Sequence, residues 1–157
     1  MSEPSEDDRA PFERAGHFII AGYGLPGRAV AETLDVRQLP YCVLELNAAT
    51  VQRCVKSGTH IVEGDVTDPE VLKRAHIESA AAIIIAIPDE KVALRATQVA
   101  RELNPTMKII SRTHYISAGN EAKARGADAV IVAEQVVAME MSRVVGEMFR
   151  VSETHQG

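Results

Sequence analysis

The sequence holds few of the groups that usually carry chemistry. It has two cysteines, Cys42 and Cys54, which form no C-x-x-C pair and lie in apolar-patterned segments. They read as buried thiols in a reducing compartment, which argues against a disulfide framework or a thiolate metal site. The five histidines, at 17, 60, 76, 114 and 155, show no ligand spacing such as H-x-x-x-H, so no metal is expected. Basic residues are in deficit, 17 Lys and Arg against 22 Asp and Glu, and they are scattered, which argues against a nucleic-acid partner. The longest apolar run, Ala80 to Ile87, falls far short of the roughly 20 residues that span a bilayer as helix, and the acidic N-terminus does not resemble a signal peptide. A Tyr-x-x-x-Lys pair, used by one large class of nicotinamide enzymes, is missing: Tyr23, Tyr41 and Tyr115 are followed four residues later by Gly27, Glu45 and Gly119. No catalytic residue is therefore assigned.

What is present fits one α/β domain. With 157 residues and 46% hydrophobic side chains, the chain can bury a substantial core but has no room for a second full domain. Residues 1–15 are acidic, with two prolines and few apolar side chains, and read as a flexible tail or linker. From His17 onward, short apolar runs alternate with stretches of helical period. Strands are expected over about 17–21, 41–46, 60–63, 81–87, 107–111 and 129–132. Between them, helices are expected over about 25–38 and 48–57, from Pro69, from Pro88 to 103, and over 116–125. A last helix over 134–150 and a tail 151–157 close the chain. Six strands with crossover helices predict a doubly wound, Rossmann-like parallel sheet of order 3-2-1-4-5-6, with a ligand beyond the carboxyl ends of the strands.

The candidate site follows from that frame. Gly22-Tyr23-Gly24-Leu25-Pro26-Gly27 breaks the first strand into a helix, giving a tight turn, a bare backbone approach to a diphosphate and close helix packing. Pro26 suits a first helical turn. Glu45, 18 residues after Gly27, stands where a carboxylate can accept both hydroxyls of an adenosine ribose. It would also repel a 2′-phosphate, which Leu46 and Asn47 offer no cation to neutralise, so NADP is disfavoured; the plainer alternative is a solvated strand-end charge. Asp65, between Gly64 and Val66, could accept from an adenine amino group or could cap the next helix, although Asp68 caps better. Arg112 could reach a phosphate or join a surface ion pair. In the last helix Glu140, Arg143, Glu147 and Arg150 form one polar stripe. Val136, Val137, Met139, Met141, Val144, Val145, Met148 and Phe149 occupy much of the rest. That apolar arc is wider than one sheet face covers, so a partner interface is expected in preference to an ordinary core helix.

Taken together, Gly22–Arg28, Val43-Leu44-Glu45-Leu46-Asn47, Gly64-Asp65-Val66-Thr67-Asp68-Pro69, Ala86-Ile87-Pro88-Asp89, Ile109-Ile110-Ser111-Arg112 and Gly126–Ile131 resemble the RCK or TrkA-N (KTN) domain, especially that of Kef-type cation:proton antiporters. The resemblance covers His17 to about Phe149, with a domain over 16–133 followed by a dimerisation or crossover helix over 134–150. It implies a non-enzymatic regulator that binds NAD, NADH, AMP, ADP or ATP. Such a domain forms a homodimer, here through Val136, Val137, Met141, Val144, Val145 and Met148, and gates a potassium channel or transporter at the inner face of the cell membrane. The contacts it implies fall on Gly22, Gly24, Gly27, Glu45, Asp65 and Arg112; Ala86 and Ile87 belong to its motifs. Leu25 departs from the polar residue often found in that loop and offers only its N–H. Two other readings stay open: a subunit of an NAD-dependent oxidoreductase, and an assembly module that keeps the fold without the ligand.

Overall fold

A computed structural model describes residues 16–150. The chain runs β1 (Phe18–Ala21), α1 (Leu25–Val36), β2 (Tyr41–Glu45), α2 (Ala48–Ser57), β3 (Ile61–Glu63) and α3 (Pro69–Arg74). After a 3₁₀ turn at Ile77–Ser79 come β4 (Ala82–Ile85), α4 (Glu90–Leu103), β5 (Lys108–Thr113), α5 (Ile116–Ala124), β6 (Ala129–Val132) and α6 (Ala133–Met148). All six strands pair in parallel in the order β3-β2-β1-β4-β5-β6, as the alternation of short apolar runs and helical segments predicts. The expected tails 1–15 and 151–157 lie outside the described residues.

Side-chain alternation along the strands divides the core. Ile19, Ala21, Ile83, Ile85 and Ile109 face α3, α4 and α5, while Ile20 and Val43 face Ala31 and Leu34 of α1. The starts of α2, α3 and α4 are set by side chains that accept the first orphan amides. Asn47 Oδ1 accepts from Thr50 N at 3.1 Å, Asp68 Oδ1 from Glu70 N at 2.9 Å and Asp89 Oδ1 from Val92 N at 3.1 Å.

Two strand ends differ from expectation by two residues, the other strand boundaries by at most one. β5 continues through Arg112 to Thr113, because Ser111 and Thr113 are buried polar residues whose needs are met locally. The Ser111 and Thr97 hydroxyls lie 2.6 Å apart, and Thr97 donates to the Ala93 carbonyl at 2.8 Å. β4 ends at Ile85, so Ala86 and Ile87 leave the strand and turn toward the site. Asn104, expected only to stop α4, is buried; its Nδ2 donates to the Ile77 carbonyl at 2.8 Å and its Oδ1 accepts from Met107 N at 3.0 Å.

Helix α6 behaves unlike the other long helices. It has no buried residue, and its main contact is with β6. Its polar stripe is closed internally, Arg143 donating to Glu140 at 2.9 Å and Glu147 at 2.8 Å, which holds the Glu140 carboxyl below its ordinary range. The apolar arc is left facing outward: Val137 is 57% exposed, Met141 65% and Met148 72%.

Candidate functional site

A cleft of about 840 Å³ opens at the carboxyl ends of β2, β1, β4 and β5, within the size range of small-molecule sites. Its floor is the glycine turn. Gly22 has φ +94°, and a Cβ there would meet the Ala86 carbonyl oxygen at 3.0 Å. A Cβ on Gly27 would lie 2.0 Å from the Gly22 carbonyl oxygen, so this glycine allows α1 to sit directly on the turn. Gly27 is consequently buried and is the one predicted site residue that does not line the cleft. Gly24 is different, since a Cβ there would meet no atom of the described residues within 4 Å. Gly24 caps α1 without a side-chain hydrogen bond. Pro26 brings no N–H, so the orphan donors at this positive helix end are those of Leu25 and Gly27.

Glu45 is held by three backbone amides. Its Oε1 accepts from Leu46 N and Asn47 N, both at 3.0 Å, and its Oε2 accepts from Tyr23 N at 2.9 Å. The carboxylate thus ties the glycine turn to the end of β2, and Oε2 keeps a second lone pair for another donor. Tyr23 contributes main chain here. Its half-buried ring packs toward the α1-side core with Phe18, Val30 and Tyr41, where burial raises the phenol pKa.

Asp65 does not cap a helix. Its Oδ1 accepts from the Thr67 N–H at 2.8 Å and the Thr67 hydroxyl at 2.7 Å, and these bonds lower its pKa. Leu46, Asn47, Gly64, Val66, Ala86, Ile87 and Arg112 all line the same cleft. So do Arg28, Thr50, Arg53, Cys54, Ser57, Pro88 and Val92, which the sequence reading did not assign to the site. Thr50, Arg53, Cys54 and Ser57 recur at three and four residues along α2, the spacing of one helix face, and that periodicity was the available signal. Arg53 supplies the cation that Leu46 and Asn47 lack, although its guanidinium donates to Thr50 Oγ1 at 3.1 Å. Burial and the Glu45 charge push the Cys54 thiol pKa up.

The arrangement suits an adenine nucleotide: bare amides at a helix N-terminus for phosphate, a fixed carboxylate for hydroxyl donors, and apolar Leu46 and Val66 beside them. Among the described residues no three His, Cys, Asp or Glu side chains gather as metal ligands, and no helix is long and apolar enough to cross a membrane.

Comparisons with known proteins agree with this architecture. The chain is 35% identical over 133 residues to the putative K(+) efflux antiporter KefB of Alkalimonas amylolytica. That match covers 83% of this chain but only 20% of the antiporter's length. Its backbone superposes on the TrkA-N domain of the Escherichia coli inner membrane protein ybaL with TM-score 0.81 at 29% identity, covering 85% of this chain and 98% of that one. It also superposes on GsuK bound to ADP with TM-score 0.76 at 25% identity, covering 85% and 35%. The TrkA-N domain description matches residues 18–133, the span that holds the glycine turn, the Glu45 clamp and all six strands, and the chain belongs to the TrkA-N domain family.

Proposed function

We propose that this chain is a non-enzymatic regulatory domain that binds an adenine nucleotide, NAD or NADH or one of AMP, ADP and ATP. It relays occupancy to a cation transporter or channel at the inner face of the cell membrane through rearrangement of a homodimer. One observation carries the reading: α6 continues directly from the sheet that holds the cleft, yet it buries no residue in its own chain. A helix that exposes Val136, Val137, Met141, Val144, Val145 and Met148 is stabilised by a partner, and its methionines suit an adaptable contact. The partner proposed is a second copy, because the same arc on each helix can pair isologously.

The relay has a physical route. His114 follows Arg112 at the end of β5. Its ring Nε2 lies 2.6 Å from the Pro88 carbonyl in the cleft wall, its backbone N–H donates to Glu90 at 2.8 Å, and its carbonyl accepts from Glu134 N in the first turn of α6 at 3.2 Å. A ligand that favours one position of the Pro88 loop therefore biases the root of α6, and can regulate only to the extent that it binds one dimer arrangement better.

In the binding step the Leu25 amide at the positive end of α1 takes phosphate, Glu45 Oε2 takes a ribose hydroxyl and Asp65 flanks the base. NADP binds more weakly than NAD, since Glu45, fixed by three backbone amides, repels a 2′-phosphate. Calorimetric titration with AMP, ADP, ATP, NAD⁺, NADH and NADP⁺ tests this. Saturable binding of at least one of the first five, with NADP⁺ weaker, is expected; absence of binding by all, or a preference for NADP⁺, contradicts it.

A further inference from the structure

A second cavity, of about 340 Å³, opens at the opposite end of the sheet from the nucleotide cleft, where α1 turns into β2 and α2 into β3. That volume is at the lower end of the range of small-molecule sites. Asp35, Leu39 and Tyr41 line one side, and Ser57, Thr59 and His60 the other. Ser57 is the one residue that borders both this cavity and the cleft.

The electrostatics of this cavity favour a cation. Asp35 lies in the last turn of α1, and Ser57 and Gly58 are the last residue and the cap of α2, so the negative ends of two helix dipoles meet here. The Asp35 carboxylate adds a full charge. Tyr41 donates its hydroxyl to Asp35 Oδ2 at 3.2 Å, and burial holds the phenol pKa up, so Tyr41 orients the carboxylate without cancelling its charge. Asp35 Oδ1 accepts no hydrogen bond from the described residues. Ser57 donates to the Cys54 carbonyl at 3.0 Å, which leaves Thr59, also at 3.0 Å, to donate to Ser57 and to turn its own lone pairs toward the cavity. No lysine or arginine lines the space, and His60 is its one basic side chain.

We propose that this cavity is a second ligand site, for a small organic cation that carries a primary ammonium group. An ammonium has three N–H donors, and three kinds of acceptor meet it here: Asp35 Oδ1, the last carbonyls of the two helices and the hydroxyl oxygens. Its alkyl part lies against Leu39 and Pro40. A divalent metal ion fits less well, because calcium takes about six to eight oxygens and among the described residues no three His, Cys, Asp or Glu side chains gather. An anion is opposed by Asp35 and by both helix ends. The site does not depend on the nucleotide reading above, since it lies at the other end of the strands.

Titration of the isotope-labelled full chain with n-butylammonium chloride at constant ionic strength, read by amide chemical shifts, tests it. The controls are 1-butanol as the neutral counterpart, potassium chloride as an inorganic cation, and Asp35→Asn. Saturable shifts centred on Tyr41, Thr59 and His60 are expected with n-butylammonium, with affinity at least tenfold lower in Asp35→Asn and at least tenfold lower for 1-butanol. Asp35 is exposed and an asparagine carbonyl still accepts from Tyr41, so the variant should melt with the wild type; if it fails to fold, the location of the wild-type shifts and the 1-butanol comparison decide. Absence of saturable shifts at these residues, equal affinity in Asp35→Asn, or equally tight binding of 1-butanol or of potassium would overturn the proposal.

Discussion

At the scale of single residues, the three glycines of the first turn perform three separable tasks. Gly27→Ala places a Cβ against the Gly22 carbonyl, where no flexible side chain can yield. It should destabilise the fold by about 2–3 kcal/mol through overpacking, read as a lower midpoint in urea unfolding. Gly24→Ala meets no atom of the described residues within 4 Å, so its stability should stay within about 0.5 kcal/mol of wild type, while ADP affinity falls at least tenfold because the methyl occupies the ligand's approach. Equal destabilisation by the two would show that the turn, and not the cleft, requires Gly24. Glu45 combines both kinds of role. Glu45→Ala leaves the amides of Tyr23, Leu46 and Asn47 without their acceptor and should lower stability by about 1–3 kcal/mol as well as weaken nucleotide binding. Unaffected nucleotide affinity in that variant would point instead to an assembly module.

At the same scale, Asp128 contributes to acid sensitivity. Its Oδ2 accepts from the Ile109 N–H and the Arg101 guanidinium, both at 2.8 Å, and the backbone bond is the larger cause of its lowered pKa. A carboxyl whose folded pKa lies below its unfolded value stabilises the fold fully above the unfolded pKa, about 3.9. That stabilisation is lost as pH falls through the folded value. Asp128→Asn should therefore flatten the decline of melting temperature below about pH 4, and a decline identical to wild type would remove Asp128 from the account.

At the scale of elements, legibility in the sequence followed the physics of each segment. Strands β1, β2 and β4 were readable because buried parallel strands are continuously apolar, and α2, α3 and α4 because Asn47, Asp68 and Asp89 mark their starts. The far end of β5 was hidden because Arg112 and Thr113, polar residues after the expected end at Ser111, look like loop residues until strand pairing with β6 is in place. Fourteen of the proposed site residues converge on one cleft, since motif spacing and strand order together fix which loops meet. The Thr50–Arg53–Ser57 wall escaped because its residues belong to no glycine or acidic motif, and Tyr23 also packs against the α1-side core of Ile20, Ala31, Leu34 and Val43.

Helix α6 gives the prediction proper to this scale. Met141 and Val145 lie four residues apart on the exposed arc, 65% and 57% exposed. If α6 pairs two copies as proposed, Met141→Glu with Val145→Glu should dissociate that dimer in sedimentation analysis while leaving the monomer's urea midpoint unchanged, because neither side chain belongs to the core. A loss of stability without a change in association state would return α6 to an ordinary packing role. His114→Ala removes the ring contact with the Pro88 carbonyl but neither the cleft lining nor the exposed arc, and should reduce the effect of nucleotide on dimer geometry while both binding events persist.

For the whole molecule, the layout separates a rigid part from an uncommitted one. Five helices pack on the sheet and hold the cleft, whereas the sixth carries a large apolar surface out of the domain, joined to the cleft wall through His114. The chain matches only 20% of the length of the Alkalimonas amylolytica antiporter, and in the proposed reading its output leaves through the exposed surface of α6. The central claim is that cleft occupancy and α6 arrangement are coupled. Small-angle scattering of the dimer, with and without saturating ADP, tests it most directly: a changed pair-distance distribution, reduced in His114→Ala, is the predicted result, and superimposable curves from a dimer shown by calorimetry to have bound ADP would contradict it.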